Sequence, residues 1–259
     1  MPAELLSTSQ GKTLVLTIRQ PEVRNAFDPA IYAAGIEALS VAERSDEIRS
    51  VVITGSDGTF SAGGHLQKLQ AARQEGAEAQ AQGVEGLHNW IETIRTYPKP
   101  VIAAVEGAAA GAGFSLALAC DLIVAARNAV FVMAHSTIGL SPDGGATWSL
   151  GRALPRQLAA EILLRGDRMG TERLHGLGLI NRLAEPGQAL ADALALAQQL
   201  NERAPNALAS IKELLSEAPH TTLTAQLALE RDHFVRNLQH PNAGEGIAAF
   251  LDKRKPRYQ

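Results

Sequence analysis

The sequence predicts an α/β core followed by a helical C-terminal portion, and three observations indicate this order. Short β-branched runs alternate with helical patterns in the first half of the chain. A buried-type strand at residues 100–105 runs directly into a glycine-rich turn. Beyond Pro155 strand patterns become scarce, and helical patterns broken at glycines and prolines continue to the end. The 259 residues, 46% hydrophobic and 20% charged, provide enough apolar material for one large domain or two small ones.

The first elements form a β-α-β alternation. Residues 13–18 alternate polar and apolar side chains, which predicts a half-buried strand. Asp28 followed by Pro29 predicts an N-cap and the first position of an amphipathic helix that runs towards residues 40–43. Residues 50–55 are a β-branched run ended by glycine, typical of a second strand.

The middle of the chain continues this alternation after an irregular excursion. Residues 67–82 are rich in Ala, Gln and Glu with little apolar periodicity, which favours a solvent-facing helical excursion near a site. A helix at residues 86–97 ends before Pro98, and the buried strand follows. Strands are then predicted at residues 122–124 and 130–132.

Charge and composition exclude several classes of protein. A net charge of -3 gives no overall basic field, so nucleic acid is not an expected partner. The single cysteine, Cys120, cannot form an intrachain disulfide, and the start of the chain does not resemble a secretory signal, so we expect a cytoplasmic protein. Residues 101–120 are long enough to span a membrane, but Glu106 and three glycines favour a buried strand and helix, so no membrane partner is expected.

Two glycine-rich loops are the strongest candidates for a site. They span residues 60–66 and 107–115, and each follows a predicted strand. Small residues let a ligand approach the backbone, and a helix that begins near Ala112 directs unpaired N–H groups towards it. Glycine loops taken alone more often reflect turns and close packing. Their spacing matches neither a dinucleotide-binding motif nor a P-loop, which disfavours nucleotide phosphate.

Motifs along almost the whole chain resemble one family, the crotonase (enoyl-CoA hydratase/isomerase) superfamily. In order, they are PEVRNAF, FSAGGHL, KPVIAAVEGAAAGAGFSLALACDLIVAA, FVMAHSTIGLSPDGGATW, LLRGDRMGTERLHGLGLINRL and GIAAFLDKRKPRY. The resemblance implies an α/β fold, a ββα spiral with two roughly perpendicular sheets and a helical C-terminal trimerisation region. It divides the chain into a spiral core at residues 1–195 that holds the active site and a trimerisation region at 196–259.

The resemblance also implies where an acyl-CoA thioester would bind. The backbone N–H groups of Gly64 and Ala112 match the pair that holds the thioester oxygen in this family. Residues matching the surroundings of the CoA portion are Arg24, Ala26, Ala62, Gly63, His65, Leu66 and Gly111, with Phe250 and Lys253 from a neighbouring subunit. For Arg24 and Lys253 an ordinary solvated surface position is an alternative, and His65 departs from the aspartate usual in the family.

The catalytic side chains depart from the hydratase pattern. Ser115 and His135 stand where hydratases of this family have two glutamates, so two-carboxylate hydration is not expected. Asp143 stands where enoyl-CoA isomerases and the ring-epoxide isomerase of phenylacetate breakdown have a carboxylate that moves a proton. The resemblance therefore implies an isomerase in which Asp143 acts as base, although Pro142-Asp143-Gly144 is also an ordinary turn sequence.

Two other functions stay open. The 4-halobenzoyl-CoA dehalogenases resemble the chain at the same loop, with Asp143 matching the nucleophile and His88 matching an assisting histidine. A non-catalytic acyl-CoA-binding scaffold is the other alternative. The resemblance implies a homotrimer or a hexamer made of two trimers. It implies no metal and no flavin or nicotinamide cofactor, since coenzyme A is part of the substrate.

Overall fold

The computed structural model describes residues 3–74 and 76–259 and contains two β-sheets with helices around them. The strands are β1 (Glu4–Gln10), β2 (Thr13–Arg19), β3 (Ser50–Gly55), β4 (Val101–Val105), β5 (Ala108–Ala110), β6 (Leu122–Ala126), β7 (Val130–Val132), β8 (Arg168–Gly170) and β9 (Arg182–Ala184). The α-helices are α1 (Pro29–Glu43), α2 (Leu66–Ala72), α3 (Ala77–Thr96), α4 (Ala112–Ala119), α5 (Ala146–Ala153), α6 (Arg156–Arg165), α7 (Thr171–Gly176), α8 (Ala189–Asn201), α9 (Pro205–Glu217), α10 (Leu223–Leu238) and α11 (Pro241–Leu251).

The larger sheet has the strand order β1-β2-β3-β4-β6-β9, and the smaller has the order β5-β7-β8. Every pair in the larger sheet is parallel except β1 with β2. One row of the parallel register aligns Leu16, Ile53, Ala103 and Ile123 across four strands. Parallel strands joined through helices confirm the predicted α/β class.

The central strands of the larger sheet, β2, β3 and β4, are buried on both faces. On one face Ile53 belongs to the same apolar cluster as residues of α1 and α3, and on the other α8 packs over Val52 and Ile102. The α8 contact is made by Ala189, Ala193 and Ala197, which share one helix face because they are four residues apart. The prediction that residues 13–18 form a half-buried strand is therefore wrong, because helices cover both sides of β2.

The mid-helix glycine of α1 has a packing cause. A Cβ on Gly35 would lie 2.3 Å from Nε1 of Trp90 on α3, so only glycine lets these two helices approach so closely. Trp90 is fully buried, and its ring lies 6.0 Å from that of Phe27 and 6.2 Å from that of Tyr32. These rings join α1 and α3. Of the excursion predicted at residues 67–82, the parts in α2 and α3 are helical and largely exposed as predicted, residue 75 lies outside the described residues, and α3 begins at Ala77 instead of residue 86.

Four short or marginal strands have no counterpart in the sequence predictions. The edge strand β1 is mostly exposed, and β5, β8 and β9 contain three residues each. Such segments carry too little periodicity to be recognised, and their pairing with β2, β7 and β6 defines them.

The C-terminal helices are joined by polar side chains. The amide of Asn206 donates to Oδ1 of Asn237 at 2.6 Å, and the amide of Asn242 donates to Oδ1 of Asn206 at 2.9 Å. Arg49, just before β3, donates to the backbone carbonyls of Asn201 and Tyr258. The predicted boundary at residue 195 falls within α8, and the division into 1–195 and 196–259 stays a prediction. Within the described residues, no helix combines the length and apolar character that crossing a membrane requires.

Candidate active site

The first glycine-rich loop is held by a buried asparagine. Asn25 is fully buried with a φ of 56°, and its amide donates to the carbonyls of Ser56 and Thr59 at 2.9 and 2.7 Å. The backbone carbonyl of Asn25 accepts a hydrogen bond from Oγ of Ser61, which in turn accepts from the N–H of Gly63 at 3.0 Å. This network fixes the backbone of the loop.

The two glycine-rich loops pair with each other. The N–H of Ser61 donates to the carbonyl of Ala108, and the N–H of Ala110 donates to the carbonyl of Ser61, both at 2.9 Å. A Cβ on Gly63 would lie 2.4 Å from the carbonyl oxygen of Ala110 and 3.0 Å from the nitrogen of Ala112. The backbone at Gly63 therefore lies directly against the start of α4, and its φ of 81° also favours glycine.

Peptide geometry sets the direction of the two predicted donors. The carbonyl of Gly63 accepts from the N–H of Phe27 at 2.7 Å, so the N–H of Gly64, across a trans peptide, points away from Phe27. The carbonyl of Gly111 accepts from the N–H of Ser115 within α4, so the N–H of Ala112 points outward from the helix start. The structure thus brings the two predicted N–H groups onto adjoining backbone segments, and the dipole of α4 favours negative charge there.

Three of the predicted catalytic residues come together beside this helix start. Oγ of Ser115, on α4, donates to the backbone carbonyl of Asp143 at 2.9 Å. Nε2 of His135, in a 3-10 helix at residues 134–138, lies 3.4 Å from Oδ1 of Asp143. The side chain of His135 is 10% exposed and that of Asp143 is 32% exposed. The carboxylate of Asp143 is therefore partly exposed, and both Ser115 and His135 contact this residue.

A tyrosine adds to the electrostatics of this cluster. Burial raises the pKa of the Tyr32 hydroxyl above its ordinary range, and the charges of Asp143 and Asp28 raise it further. The phenol therefore keeps its proton at any physiological pH and can donate a hydrogen bond. The ring of Tyr32 packs against that of Phe27, and the backbone of Phe27 pairs with that of Gly64 in an isolated β-bridge.

The remaining predicted residues lie at different distances from this centre. Ala26 is buried, while Ala62 is half-buried and its N–H donates to the carbonyl of Arg24 at 2.9 Å. His65 accepts from the N–H of Lys68 at the start of α2, and Leu66 is 55% exposed. Ala62, His65 and Leu66 thus belong to the first glycine-rich loop, and Ala26 lies beside it.

Phe250, Lys253 and His88 are not part of the cluster. Phe250, near the end of α11, is 84% exposed, and Lys253, just after the helix, is also exposed. His88 is exposed on α3, and no hydrogen bond or ion pair found in residues 3–74 and 76–259 joins it to Asp143.

Sequence reasoning missed three supporting residues, namely Asn25, Tyr32 and Ser61. Asn25 was within the quoted motif PEVRNAF, and a polar residue that tolerates left-handed backbone is a usable signal beside a loop. Tyr32 gave no such signal, because one aromatic residue in an amphipathic helix is typical of a core contact.

Comparison with known proteins agrees with this architecture. Residues 8–259 match the family model described as enoyl-CoA hydratase/isomerase. The 1,2-epoxyphenylacetyl-CoA isomerase of Escherichia coli K12 is 38% identical over 256 residues, covering 98% of this chain and 97% of the relative. The 2,3-dehydroadipyl-CoA hydratase of the same organism is 34% identical over 257 residues, covering 99% of each chain.

A crystal structure of an enoyl-CoA hydratase from Polaromonas sp. JS666 is similar throughout. Its TM-score is 0.98 at 68% identity, and the match covers 98% of this chain and 99% of that one. The chain belongs to the enoyl-CoA hydratase/isomerase family and has the crotonase fold. Relatives within the family include both isomerases and hydratases, so the family alone does not define the reaction.

Proposed function

We propose that the protein is an acyl-CoA isomerase in which Asp143 moves a proton along the acyl group. The observation that carries the proposal is the arrangement around Asp143. Ser115 and His135 occupy the positions expected to hold glutamates in a hydratase, and each instead contacts Asp143, one through its backbone and one through its carboxylate. A site built around one carboxylate has a single general base and lacks a second carboxylate to hold a water.

In this mechanism the thioester oxygen accepts hydrogen bonds from the N–H groups of Gly64 and Ala112. Asp143 removes a proton from the acyl chain, and negative charge develops on that oxygen. Pre-oriented donors of this type each contribute about 3 kcal/mol of barrier lowering. The proton then returns at a different carbon, so a double bond shifts or, for a ring epoxide, the ring expands to an oxepin-type thioester. No water is consumed, and atoms balance within the substrate.

Binding of the CoA portion and assembly belong to the same proposal. Arg24 lies beside the first glycine-rich loop, His65 and Leu66 lie within it, and all three are accessible to a pantetheine or phosphate group. The exposed apolar residues of α10 and α11, including Leu227 and Phe234, provide a face for contact with further copies in a trimer or hexamer. Such a contact would also place Phe250 and Lys253 against a neighbouring site.

The test is proton NMR with 3-enoyl-CoA and 2-enoyl-CoA in deuterated water. The wild-type protein is expected to move the double bond or incorporate deuterium into the acyl chain. Asp143→Asn is expected to reduce either rate by at least about 1,000-fold, because the amide cannot act as a base. The matched control is Asp46→Asn, which changes an exposed aspartate in the loop before β3 and is expected to leave the rate unchanged.

Three outcomes would contradict the proposal. Binding of thioesters without bond migration or exchange, on enoyl and ring-epoxide substrates alike, would favour the scaffold. Hydration of 2-enoyl-CoA by wild type would indicate a hydratase. Release of halide from a 4-halobenzoyl thioester would favour the dehalogenase alternative, which gains no support from the exposed position of His88.

A further inference from the structure

We propose that His135 is a positioning residue for Asp143, holding Oδ1 through its Nε2–H so that Oδ2 is left to take the proton from the acyl chain. The inference rests on the proposed function of Asp143 and assigns His135 a role that is neither acid nor base. It explains why a nearly buried imidazole faces the carboxylate.

The two oxygens of Asp143 lie in different surroundings. Oδ1 is buried, lies 3.4 Å from Nε2 of His135 and has no hydrogen bond of good geometry in the described structure. About a third of the side chain is nevertheless exposed, so the accessible part is the remainder, which carries Oδ2. An exposed oxygen is suited to contact substrate, and a buried oxygen needs a protein donor.

The carboxylate decides which nitrogen of His135 carries a proton. A carboxylate oxygen only accepts hydrogen bonds, so an unprotonated Nε2 at this distance would place two lone pairs against each other. The opposite nitrogen, Nδ1, is buried without a partner, and a proton placed there would be an unsatisfied donor. Both considerations favour the proton on Nε2, directed at Oδ1.

Backbone contacts fix both partners in this arrangement. The carbonyl of His135 accepts from the N–H of Leu140 at 2.9 Å, which closes the turn that leads to Asp143. Oγ of Ser115 holds the carbonyl of Asp143. A Cβ on Gly111 would lie 3.4 Å from Cε1 of His135, so the imidazole rests against the start of α4. A small shift of the carboxylate on substrate binding would bring the pair to the usual length of a charge-assisted hydrogen bond, about 2.8 Å.

The role is tested with two amide variants that differ in the position of their N–H group. The amide nitrogen of His135→Gln can occupy the place of Nε2, whereas that of His135→Asn can reach only the place of Nδ1. We expect the Gln variant to keep isomerase kcat within about threefold of wild type and the Asn variant to lose about 10- to 100-fold in kcat. The KM for the thioester is expected to change little in either, because His135 acts through Asp143.

Thermal unfolding of both variants controls for folding. Equal loss of kcat in two variants that are both folded would overturn the proposal, as would unchanged kcat in the Asn variant. A loss that appears mainly as a raised KM would also overturn it, since that would make His135 a substrate contact.

A spectroscopic measurement separates this proposal from the proposed function. Proton–nitrogen correlation NMR of the protein labelled with 15N-histidine, assigned with His135→Gln, reports which ring nitrogen is protonated without any turnover. We expect a proton on Nε2 in wild type and a displaced Nε2 signal in Asp143→Asn. A bare Nε2 with the proton on Nδ1 would overturn the positioning role even if isomerase activity is present. Absence of activity with a protonated Nε2 would contradict only the proposed function.

Discussion

The helix that supports the candidate site and the helices at the C-terminus are stabilised in opposite ways. All eight residues of α4 are buried, and the glycine loops beside it pair through backbone hydrogen bonds. In α10, only His233 is buried, while Leu223, Leu227 and Phe234 are exposed by 55% or more. The site elements are therefore packed within one chain, whereas the C-terminal helices keep an uncovered apolar face.

This difference indicates which interactions each region depends on. At Gly63 and Gly113, beside and within α4, the backbone contacts are too close for an added side chain. Displacements of a few tenths of an ångström there are therefore expected to disturb the packing. Between α9, α10 and α11, asparagine hydrogen bonds supply specificity where apolar burial is small. Substitutions around α4 should abolish function, whereas substitutions in α9 to α11 should lower the stability of these helices or weaken assembly.

The largest effect is expected for Gly63→Ala. The new methyl would lie 2.4 Å from the carbonyl oxygen of Ala110, and the φ of 81° is unfavourable for alanine. We expect a loss of about 2–4 kcal/mol in the free energy of unfolding, together with loss of proton exchange on the thioester. Gly170→Ala, where a Cβ meets nothing within 4 Å, is the matched control. A fully active Gly63→Ala protein would show that the loops are not closely packed.

A smaller effect is expected for Asn242→Ala. This side chain is 2% exposed and joins Asn206 to the backbone of Gln259. Its removal should lower the stability of the C-terminal helices by about 2–3 kcal/mol. Hydrogen exchange should rise in α9 to α11 and stay unchanged in α4. Asn89→Ala, on the exposed side of α3, serves as the control. Faster hydrogen exchange in all helices, including α4, would contradict the expectation that the two regions are stabilised independently.

A third prediction concerns the apolar face of α10. If copies of the chain cover this face, Leu227→Ala should weaken assembly by about 1–2 kcal/mol per contact, close to tenfold in dissociation constant. Light scattering during gel filtration over a dilution series measures the change. Val41→Ala, at a position 67% exposed on α1, is the control. A wild-type mass of one chain, 27.4 kDa, at all concentrations would exclude assembly through this face.

The smallest effect is expected from protonation of Glu245, a residue of α11 whose carboxylate binds the tail that follows this helix. Hydrogen bonds from Arg254 and from the N–H of Arg257 lower the pKa of Glu245 to about 2, compared with 4.5 for an ordinary glutamate. Because the folded-state pKa is depressed, the stabilisation is complete above pH 4.5 and is lost as pH falls towards 2. The protection of the amides of residues 252–259, taken relative to their intrinsic exchange rates at each pH, should fall over this range. In Glu245→Gln these amides should already be weakly protected at pH 6 and show no such transition.

The elements that could be predicted from sequence are those defined by residues close together in the chain. The N-cap at Asp28 and the helix start at Ala112 were both predicted correctly, because capping side chains and glycine turns act within a few residues. The three-residue strands β8 and β9 were not predicted, since their partners lie far away in the chain.

Within the candidate site, contacts between residues distant in the chain were likewise not predicted. The residues themselves were identified through their motifs. The contact between His135 and Asp143, however, depends on a turn at Gly139, whose φ of 75° no sequence pattern specified. The position of Tyr32 relative to Asp143 likewise depends on how α1 packs on α3, which a single helix pattern does not contain.

The hydrogen bond from Arg49 to the carbonyl of Tyr258 has a kinetic consequence. It joins residues 209 positions apart, so it forms only after the intervening chain has been ordered. The β-α-β units that carry the glycine loops close over much shorter distances in the chain. We therefore expect the tail to dock last during folding and to detach first during unfolding. In a refolding experiment followed by pulsed hydrogen exchange, the amides of α4 should become protected before those that follow α11.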